Sequence, residues 1–419
     1  MKTFAINILG CKVNDYEATY VRENMLKYFE EVSNKEIADI YIIFTCCVTN
    51  VAEAKTRKCI HQARRKNPNA YIVTVGCLSQ IKATDETFNE VDLIIGSSKK
   101  DQIVDLILTN TKGNEVEEVI PDNFEELYIK SYPGKSRAFL KIQDGCNQFC
   151  SYCIIPYTRG RMRSSRHENI INNAIELSKE RKEIVLTGIH TGRYFDGEYN
   201  LYKLLVDLCK IEDLKTIRLS SIEITELSDE IIDLIKTSNK IAHHLHIPVQ
   251  ACSNEVLKLM NRPYTIEEFI NRVNYIRNEI PDISISTDLI CGFPQETDEI
   301  FLNSLDNLKK INFSFIHCFP YARKKGTVAD KLSGHIDEKI KKQRVQTILD
   351  ISSKSRKEYS KKFINSKVEV LIEQIDDSFS YGYTKNYIYT KIEGVYPIGH
   401  IKSCEIIEVD DEVLARVIK

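Results

Sequence analysis

No stretch of these 419 residues stays apolar for the roughly 18 positions that a membrane span needs. No sign of charge dominates either. Lys and Arg number 58 against 60 Asp and Glu, a formal net of −2. That balance excludes a wholly basic nucleic-acid coat protein and an acidic disordered tail. Internal repeats and low-complexity segments are missing. The opening MKTFAINILG alternates like a strand and runs straight into Cys11, unlike a secretory leader. A cytoplasmic protein with no membrane partner is expected. With 42% apolar and 28% charged residues, the composition is that of an ordinary globular chain.

Cysteine, by contrast, is plentiful at 13 residues. The count is odd, the spacing uneven and the chain long, so a secreted disulfide framework is a poor reading. The thiols are expected to be reduced, buried or metal-bound. The length implies two or three domains with separate cores.

The pattern along the chain divides it in three. Up to Asn123, β-rich runs (Thr3–Leu9, Tyr41–Phe44, Tyr71–Val75, Leu93–Ile95) alternate with helical patterns (Tyr16–Phe29, Ala52–Lys66, Lys100–Leu108), which predicts a parallel sheet covered on both faces. Polar Thr111–Pro121 reads as a linker. From about Lys130 to Ala329 six strand–helix units follow, enough for a partial (β/α) barrel. Tyr321–Val370 is basic and helical, with 14 Lys and Arg against 6 Asp and Glu. The end alternates or is β-branched, with Gly382, Gly394 and Gly399 as punctuation, and reads as a small β barrel.

The strongest chemical signal is Gly145-Cys146-Asn147-Gln148-Phe149-Cys150-Ser151-Tyr152-Cys153, just after the first barrel strand. Three thiols at Cys-x3-Cys-x2-Cys can take three irons of a 4Fe–4S cubane and leave the fourth iron open to a substrate. Structural zinc, the rival, wants four ligands in paired form, and no second pair is near. Cys146, Cys150 and Cys153, with Tyr152 before the last, resemble the motif of radical S-adenosylmethionine (SAM) enzymes. That resemblance implies that the open iron chelates SAM and that its cleavage gives a 5′-deoxyadenosyl radical.

Three more cysteines follow strands: Cys11, Cys46 and Cys77, spaced 35 and 31 residues apart, about one strand–helix unit each. Neighbouring parallel strands would bring them to one carboxyl edge, where open α/β sheets bind ligands. Gly10 and Gly76 permit close backbone approach, and spacing alone does not choose between Cys46 and Cys47. Six thiols in two triads plus a small β barrel make the whole chain similar to the radical SAM methylthiotransferases. Gly10–Ala18 (GCKVNDYEA) and Thr45-Cys46-x-Val48-Thr49 resemble the branch acting on threonylcarbamoyladenosine in tRNA, and this resemblance assigns Cys46. Further matching blocks are Ile155-Pro156 with Arg159-Gly160, Arg163-Ser164, Arg218-x-Ser220-Ser221-x-Glu223, His246-x-Pro248-Val249-Gln250, Thr287-Asp288-x-Ile290-x-Gly292-Phe293-Pro294, and Gly326-Thr327 with Ala329. Departures from the pattern are Phe44, Ala251-Cys252, Gln295 in place of a glycine, Lys324 and Ser165.

The resemblance implies an α/β protein in three domains. These are an open parallel sheet (1–123) with an auxiliary 4Fe–4S cluster on Cys11, Cys46 and Cys77, a partial (β/α)6 TIM-type barrel (130–363) with the SAM-cleaving cluster, and a small antiparallel β barrel of TRAM type (364–419) that binds RNA. It implies two 4Fe–4S clusters, SAM as cofactor, and insertion of a methylthio group at C2 of the modified adenosine 3′ to the anticodon. Isopentenyladenosine in tRNA and an aspartate of a ribosomal protein are alternative substrates. A non-catalytic iron–sulfur protein that binds RNA or senses redox state is a different class. The tRNA anticodon loop, an electron donor such as flavodoxin or ferredoxin, and a sulfur source are the implied partners. Strand-end residues Thr187, Gly188, Arg218, Ser220, Ser221, Glu223, Gln250 and Asp288 are candidate SAM contacts, with Arg218 on the carboxylate or else in an ion pair with Glu223. His243, His244 and His246 read as an alternating strand rather than a metal site. Cys59, Cys209, Cys252, Cys291, Cys318 and Cys404 lack partner spacing. Basic Arg57, Lys58, Arg64, Arg65 and Lys66, and the stretch 321–370, are candidate phosphate contacts. Tyr381, Tyr383, Tyr387 and Tyr389 stack bases or fill a core.

Overall fold

The computed structural model describes residues 1–418. Ile40–Thr45 is buried at every position, as a central parallel strand must be when helices cover both faces. It lies in a six-stranded parallel sheet ordered Glu30–Glu31, Thr3–Ile8, Ile40–Thr45, Tyr71–Gly76, Leu93–Ile95, Gly113–Glu115. One face packs Phe4, Ile42 and Phe44 against Ala18, Val21 and Met25 of helix Lys12–Met25. The other packs Tyr41, Ile43 and Ile72 against Ile60 and Ala63 of helix Asn50–Lys66. The expected linker Thr111–Pro121 is partly sheet, because Gly113–Glu115 adds the edge strand. Two-residue Glu30–Glu31 and the short helix Cys77–Lys82 carry too little periodicity to read from sequence.

Six parallel strands follow: Ala138–Lys141, Glu183–Thr187, Thr216–Leu219, His244–His246, Ser284–Cys291 and Phe315–Pro320. They form two three-stranded sheets, joined by the bridges Ile217↔Ile241 and Ser221↔His246. No pairing joins the first strand to the sixth among the described residues. Helix Lys12–Met25 of the N-terminal unit packs against the first strand, and helix Glu338–Lys361 against the sixth. The core that packs strands and helices together is largely branched aliphatic.

Lys367–Ile375, Phe379–Thr384, Tyr389–Glu393, Val413–Val417 and Ile401–Val409 close into a five-stranded barrel in that order. It is mixed rather than antiparallel: Tyr389–Glu393 and Val413–Val417 run parallel, with Lys391 opposite Leu414. Gly382 is not a turn residue but sits within Phe379–Thr384, where a Cβ would stand 1.9 Å from Leu371 O. No helix among the described residues is long and apolar enough to cross a membrane.

Candidate functional site

The N-terminal triad is built by backbone proximity. Cys11 precedes helix Lys12–Met25, Cys46 follows Ile40–Thr45, and Cys77 opens helix Cys77–Lys82. Gly10 and Gly76 have φ of 102° and 108°, values that disfavour any residue with a side chain. A Cβ on Gly10 would stand 2.8 Å from Cys46 Cβ, and one on Gly76 would stand 3.0 Å from Thr45 O. The strand ends are therefore packed as closely as glycine allows. Asn14 Nδ2 fixes this edge by donating to Leu9 O at 2.7 Å and to Thr45 O at 3.0 Å. Cys11 is exposed, whereas Cys46 and Cys77 are buried. Cys47 packs into the core in the same cluster as Cys77, and a thiol–thiol interaction between the two lowers Cys77. That interaction and the Arg159 guanidinium, acting against burial, hold the Cys77 thiol down to about 5. Burial pushes Cys46 up to about 11.

The central triad lies on a loop folded back on itself. Gly145 has φ 70°, and Phe149 takes the left-handed region at φ 48°. Cys146 N donates to Gly160 O at 3.2 Å, and Cys153 N to Cys150 O at 3.0 Å. Each of two thiols meets a side chain from elsewhere in the barrel: His190 Nδ1, just past strand Glu183–Thr187, lies 3.4 Å from Cys146 Sγ, and Arg262 Nη1, on the loop before helix Ile266–Glu279, lies 3.5 Å from Cys150 Sγ. His190 Nε2 in turn lies 2.7 Å from Glu226, and Arg262 pairs with Glu223. Burial opposes charge on His190, but its contacts with Cys146 and Glu226 outweigh that and raise it to about 10. Burial lifts Cys153 to about 12.

Arg159 joins the two triads. It ends the short helix Ile155–Arg159 that follows Cys153, and it is fully buried. Nε donates to Cys77 Sγ at 3.2 Å, Nη2 to Asn14 Oδ1 at 2.7 Å, and Nη1 to Glu17 Oε1 at 2.6 Å. Lys141 bridges Glu17 and Asp144, each at 2.7 Å, and Arg163 reaches Asp144 at 3.2 Å. Burial works against the Glu17 carboxylate, but Arg159, Lys100 and Lys141 hold it down to about 2.

No three His, Cys, Asp or Glu side chains converge on one point as a single-ion site needs, among the described residues. A lone zinc draws every sulfur to about 2.3 Å of one centre, whereas a cubane gives each thiolate its own iron. Three thiols spread over adjacent strand ends, and three along one bent loop, are donor sets that fit 4Fe–4S clusters.

The barrel lumen holds a cavity of about 660 Å³. Lys12 enters it from the N-terminal unit, Ser221, His246, Asp288 and His317 from the barrel, and Tyr383 and Tyr387 from the C-terminal barrel. A second pocket of about 210 Å³ is lined by Tyr152, Cys153, Gln250, Ile290 and Lys324 and shares Asp288 and Phe319 with the cavity. Lys12 reaches water in the cavity yet is enclosed by protein. That enclosure, with the Arg137 and Arg218 charges, brings its ammonium down to about 8.

The candidate SAM contacts separate into groups. Gln250 (φ 65°) and Asp288 meet at the smaller pocket, with Gln250 N donating to Asp288 O at 3.0 Å. Glu223 lies beside Arg262 and so near Cys150; Ser221 faces the cavity. Thr187 is buried at its strand end. A Cβ on Gly188 would stand 3.0 Å from Gln143 O. Ser220 Oγ is occupied by Leu186 O at 2.8 Å. Arg218 departs from expectation. Its guanidinium pairs with Glu183 at 2.9 Å, donates to Thr384 O and Lys385 O, and stacks on Tyr387 at 4.9 Å. It thus holds the C-terminal barrel rather than a small carboxylate, and the ion pair weighed with Glu223 is not made, because Glu223 pairs with Arg262.

The histidines follow the strand reading: His243 pairs with Asp282 at 2.9 Å, while His244 and His246 turn to Ser286. Cys291 and Cys318 do have a partner, namely each other, with thiols 3.3 Å apart on adjacent strands. The basic stretch is partly structural. Lys324 binds Glu53 at 2.7 Å, and Arg344 binds Glu296 at 2.8 Å. Arg64 likewise binds Asp92 at 2.8 Å, whereas Arg57, Lys58 and Arg65 are not paired this way. The tyrosines are not core. Tyr383 stacks on Tyr387 at 4.4 Å, and Tyr387 stacks on His244 at 4.3 Å, across the junction with the lumen. Arg159, His190, Arg262 and Lys12 were not singled out from sequence. Only the Arg159-Gly160 block and the Lys12 neighbour of Cys11 carried any signal.

Residues 140–308 match the radical SAM superfamily, and residues 3–96 match the uncharacterized protein family UPF0004. The chain is 37% identical to the threonylcarbamoyladenosine tRNA methylthiotransferase MtaB of Bacillus subtilis (strain 168), over 97% of this chain and 94% of the relative. It is equally identical, 37%, to the protein of that name from Aquifex aeolicus (strain VF5), over 95% and 98%. The tRNA-2-methylthio-N(6)-dimethylallyladenosine synthase of Thermodesulfovibrio yellowstonii is 34% identical over 96% and 94%. Among solved structures, the radical SAM methyltransferase TsrM from Kitasatospora setae superposes with a TM-score of 0.59 at 14% identity, covering 78% of this chain and 77% of that one. At that identity the likeness is one of fold.

Proposed function

The chain belongs to the radical SAM tRNA methylthiotransferases, and from that premise we propose that it inserts a methylthio group at C2 of N6-threonylcarbamoyladenosine beside the tRNA anticodon. The observation that carries the reading is the pair of all-cysteine triads joined through Arg159, which follows the central triad and is bonded to Cys77 of the other. When bound, a SAM-cleaving cluster would supply a deoxyadenosyl radical, and an auxiliary cluster would supply the sulfur.

The chain's own residues prepare the site. Cys146, Cys150 and Cys153 are proposed to hold the first cluster, with His190 and Arg262 donating to Cys146 and Cys150. Cys11, Cys46 and Cys77 are proposed to hold the second. Gln250 and Asp288, which line a pocket with Cys153, and Glu223, paired with Arg262, are proposed to contact SAM, with Thr187, Gly188, Ser220 and Ser221 as further candidates at the strand ends. The RNA would lie over the lumen against the C-terminal barrel, with the target base turned inward.

A cytoplasmic setting, a one-electron donor such as flavodoxin or ferredoxin, and a sulfur source complete the proposal. The test is nucleoside analysis of tRNA from a deletion strain, beside anaerobic reconstitution. The methylthio threonylcarbamoyl nucleoside is expected to vanish in vivo, with about eight irons per chain and deoxyadenosine formation in vitro. Cys150→Ala is expected to abolish deoxyadenosine while keeping the N-terminal cluster. Survival of the nucleoside at normal level with no second enzyme present would reject the reading.

A further inference from the structure

The lumen cavity holds several cations, and all but one of its Lys and Arg residues are neutralised. Arg137 lies 3.1 Å from Glu183 and also pairs with Glu373, and Arg218 lies 2.9 Å from Glu183. Lys135 pairs with Asp15. Lys12 has no carboxylate within ion-pair distance and no hydrogen-bond acceptor for its ammonium among the described residues, although it lines the cavity beside Phe139 and His246. The cavity's own carboxylates are engaged: Asp288 by His246 at 3.3 Å, and Glu373 by Arg137. Among the described residues, Lys12 is therefore the one Lys or Arg of the cavity without a carboxylate partner. A ligand that brings one carboxylate to it forms a charge-assisted pair that no side chain of the cavity already supplies.

The two adenosines named by the relatives differ in this respect. A dimethylallyl group is a neutral hydrocarbon; a threonylcarbamoyl group ends in a free carboxylate. We propose that Lys12 reads the threonyl carboxylate of the target nucleoside and so sets the choice of substrate. Its place serves that role, because Lys12 immediately follows Cys11 and begins the helix packed on the first barrel strand. A base held for attack between the two triads would carry its N6 substituent into the lumen. The first amides of that helix do not compete, since those of Val13 and Asn14 turn to the Cys11 thiol.

The inference rests on the proposed function, and its test is separable from it. Reconstituted protein without SAM or reductant is titrated with an anticodon stem–loop RNA carrying threonylcarbamoyladenosine, and with the same RNA whose threonyl carboxylate is a carboxamide. Fluorescence anisotropy reads the affinity. Wild type is expected to favour the carboxylate roughly 10- to 100-fold, the effect of one charge-assisted hydrogen bond. Lys12→Gln is expected to bring the two affinities together by weakening only the carboxylate RNA, and Lys12→Arg to restore most of the preference. Equal weakening toward both RNAs would mean that Lys12 contacts phosphate, and would overturn the proposal. An unchanged preference in Lys12→Gln would overturn it as well. Failure of the broader function would show differently: wild type would form no methylthio product on the natural RNA, whatever the binding ratio.

Discussion

Arg159 Nε donates to Cys77 Sγ at 3.2 Å while the same guanidinium grips Glu17 and Asn14. A residue of the central cysteine helix is thereby a direct neighbour of an N-terminal thiol. The link is rigid because every partner is buried.

Arg159→Met leaves Glu17 and Asp144 with one cation fewer in a water-free network. We expect a loss of about 3–5 kcal/mol of stability, the usual effect of breaking a buried ion pair. Arg159→Lys keeps the charge but not the planar fork, and is expected to recover part of the loss. In reconstituted protein, removing a donor and a positive charge from beside a thiolate ligand should make the N-terminal cluster harder to reduce. Denaturation curves and a redox titration followed by EPR check the two effects.

Glu17 is held down to about 2 from an ordinary 4.5. Its contribution to stability is therefore complete above pH 4.5 and disappears as the pH falls toward 2. Thermal unfolding of the cluster-free protein between pH 6 and pH 2.5 should show the decline. Glu17→Gln should be less stable than wild type at neutral pH and lose less on acidification. Equal slopes would reject the assignment.

Gly10→Ala would place a methyl 2.8 Å from Cys46 Cβ at a φ of 102°. The strand ends must then part. The expected product is a folded protein holding about four irons rather than eight, with SAM cleavage retained. Iron and sulfide assays beside deoxyadenosine formation decide it.

Arg218→Met separates two roles. A residue that docks the C-terminal barrel should, when lost, expose the segment between Lys361 and Lys367 to proteolysis and weaken RNA binding. SAM cleavage without RNA should persist. If that cleavage falls instead and the proteolytic pattern is unchanged, Arg218 binds SAM after all.

Gln295 occupies a left-handed position, φ 68°, where the family pattern has glycine. Gln295→Gly should stabilise the chain by up to about 1 kcal/mol, the strain relieved less the extra freedom of an unfolded glycine.

Much of this architecture was legible because its signals are local. The hydrophobic pattern located Leu93–Ile95 with correct ends and counted the six strand–helix units of the central barrel. Spacing between strand ends brought out the second triad. Where the reading failed, the deciding contact was distant in sequence. Gly382 looked like punctuation because its need for no side chain comes from Leu371 on the facing strand. The partners of Arg218, Glu183 and the carbonyls of Thr384 and Lys385, lie in other elements. The parallel pair in the terminal barrel depends on strand order, which alternation does not encode. Lys12 drew no notice because a lone lysine becomes meaningful only when its surroundings prove to hold no counter-charge.

The lumen takes Lys12 from near the start of the chain and Tyr387 from near its end. A ribosome making this protein must therefore release almost all of it before that chamber has walls. Until then the barrel stands open at its floor, with Arg218 and His244 lacking the Tyr387 ring that covers them. Shortening the chain by its last barrel would not yield a smaller catalyst with weaker RNA affinity. It would yield a chamber without a floor.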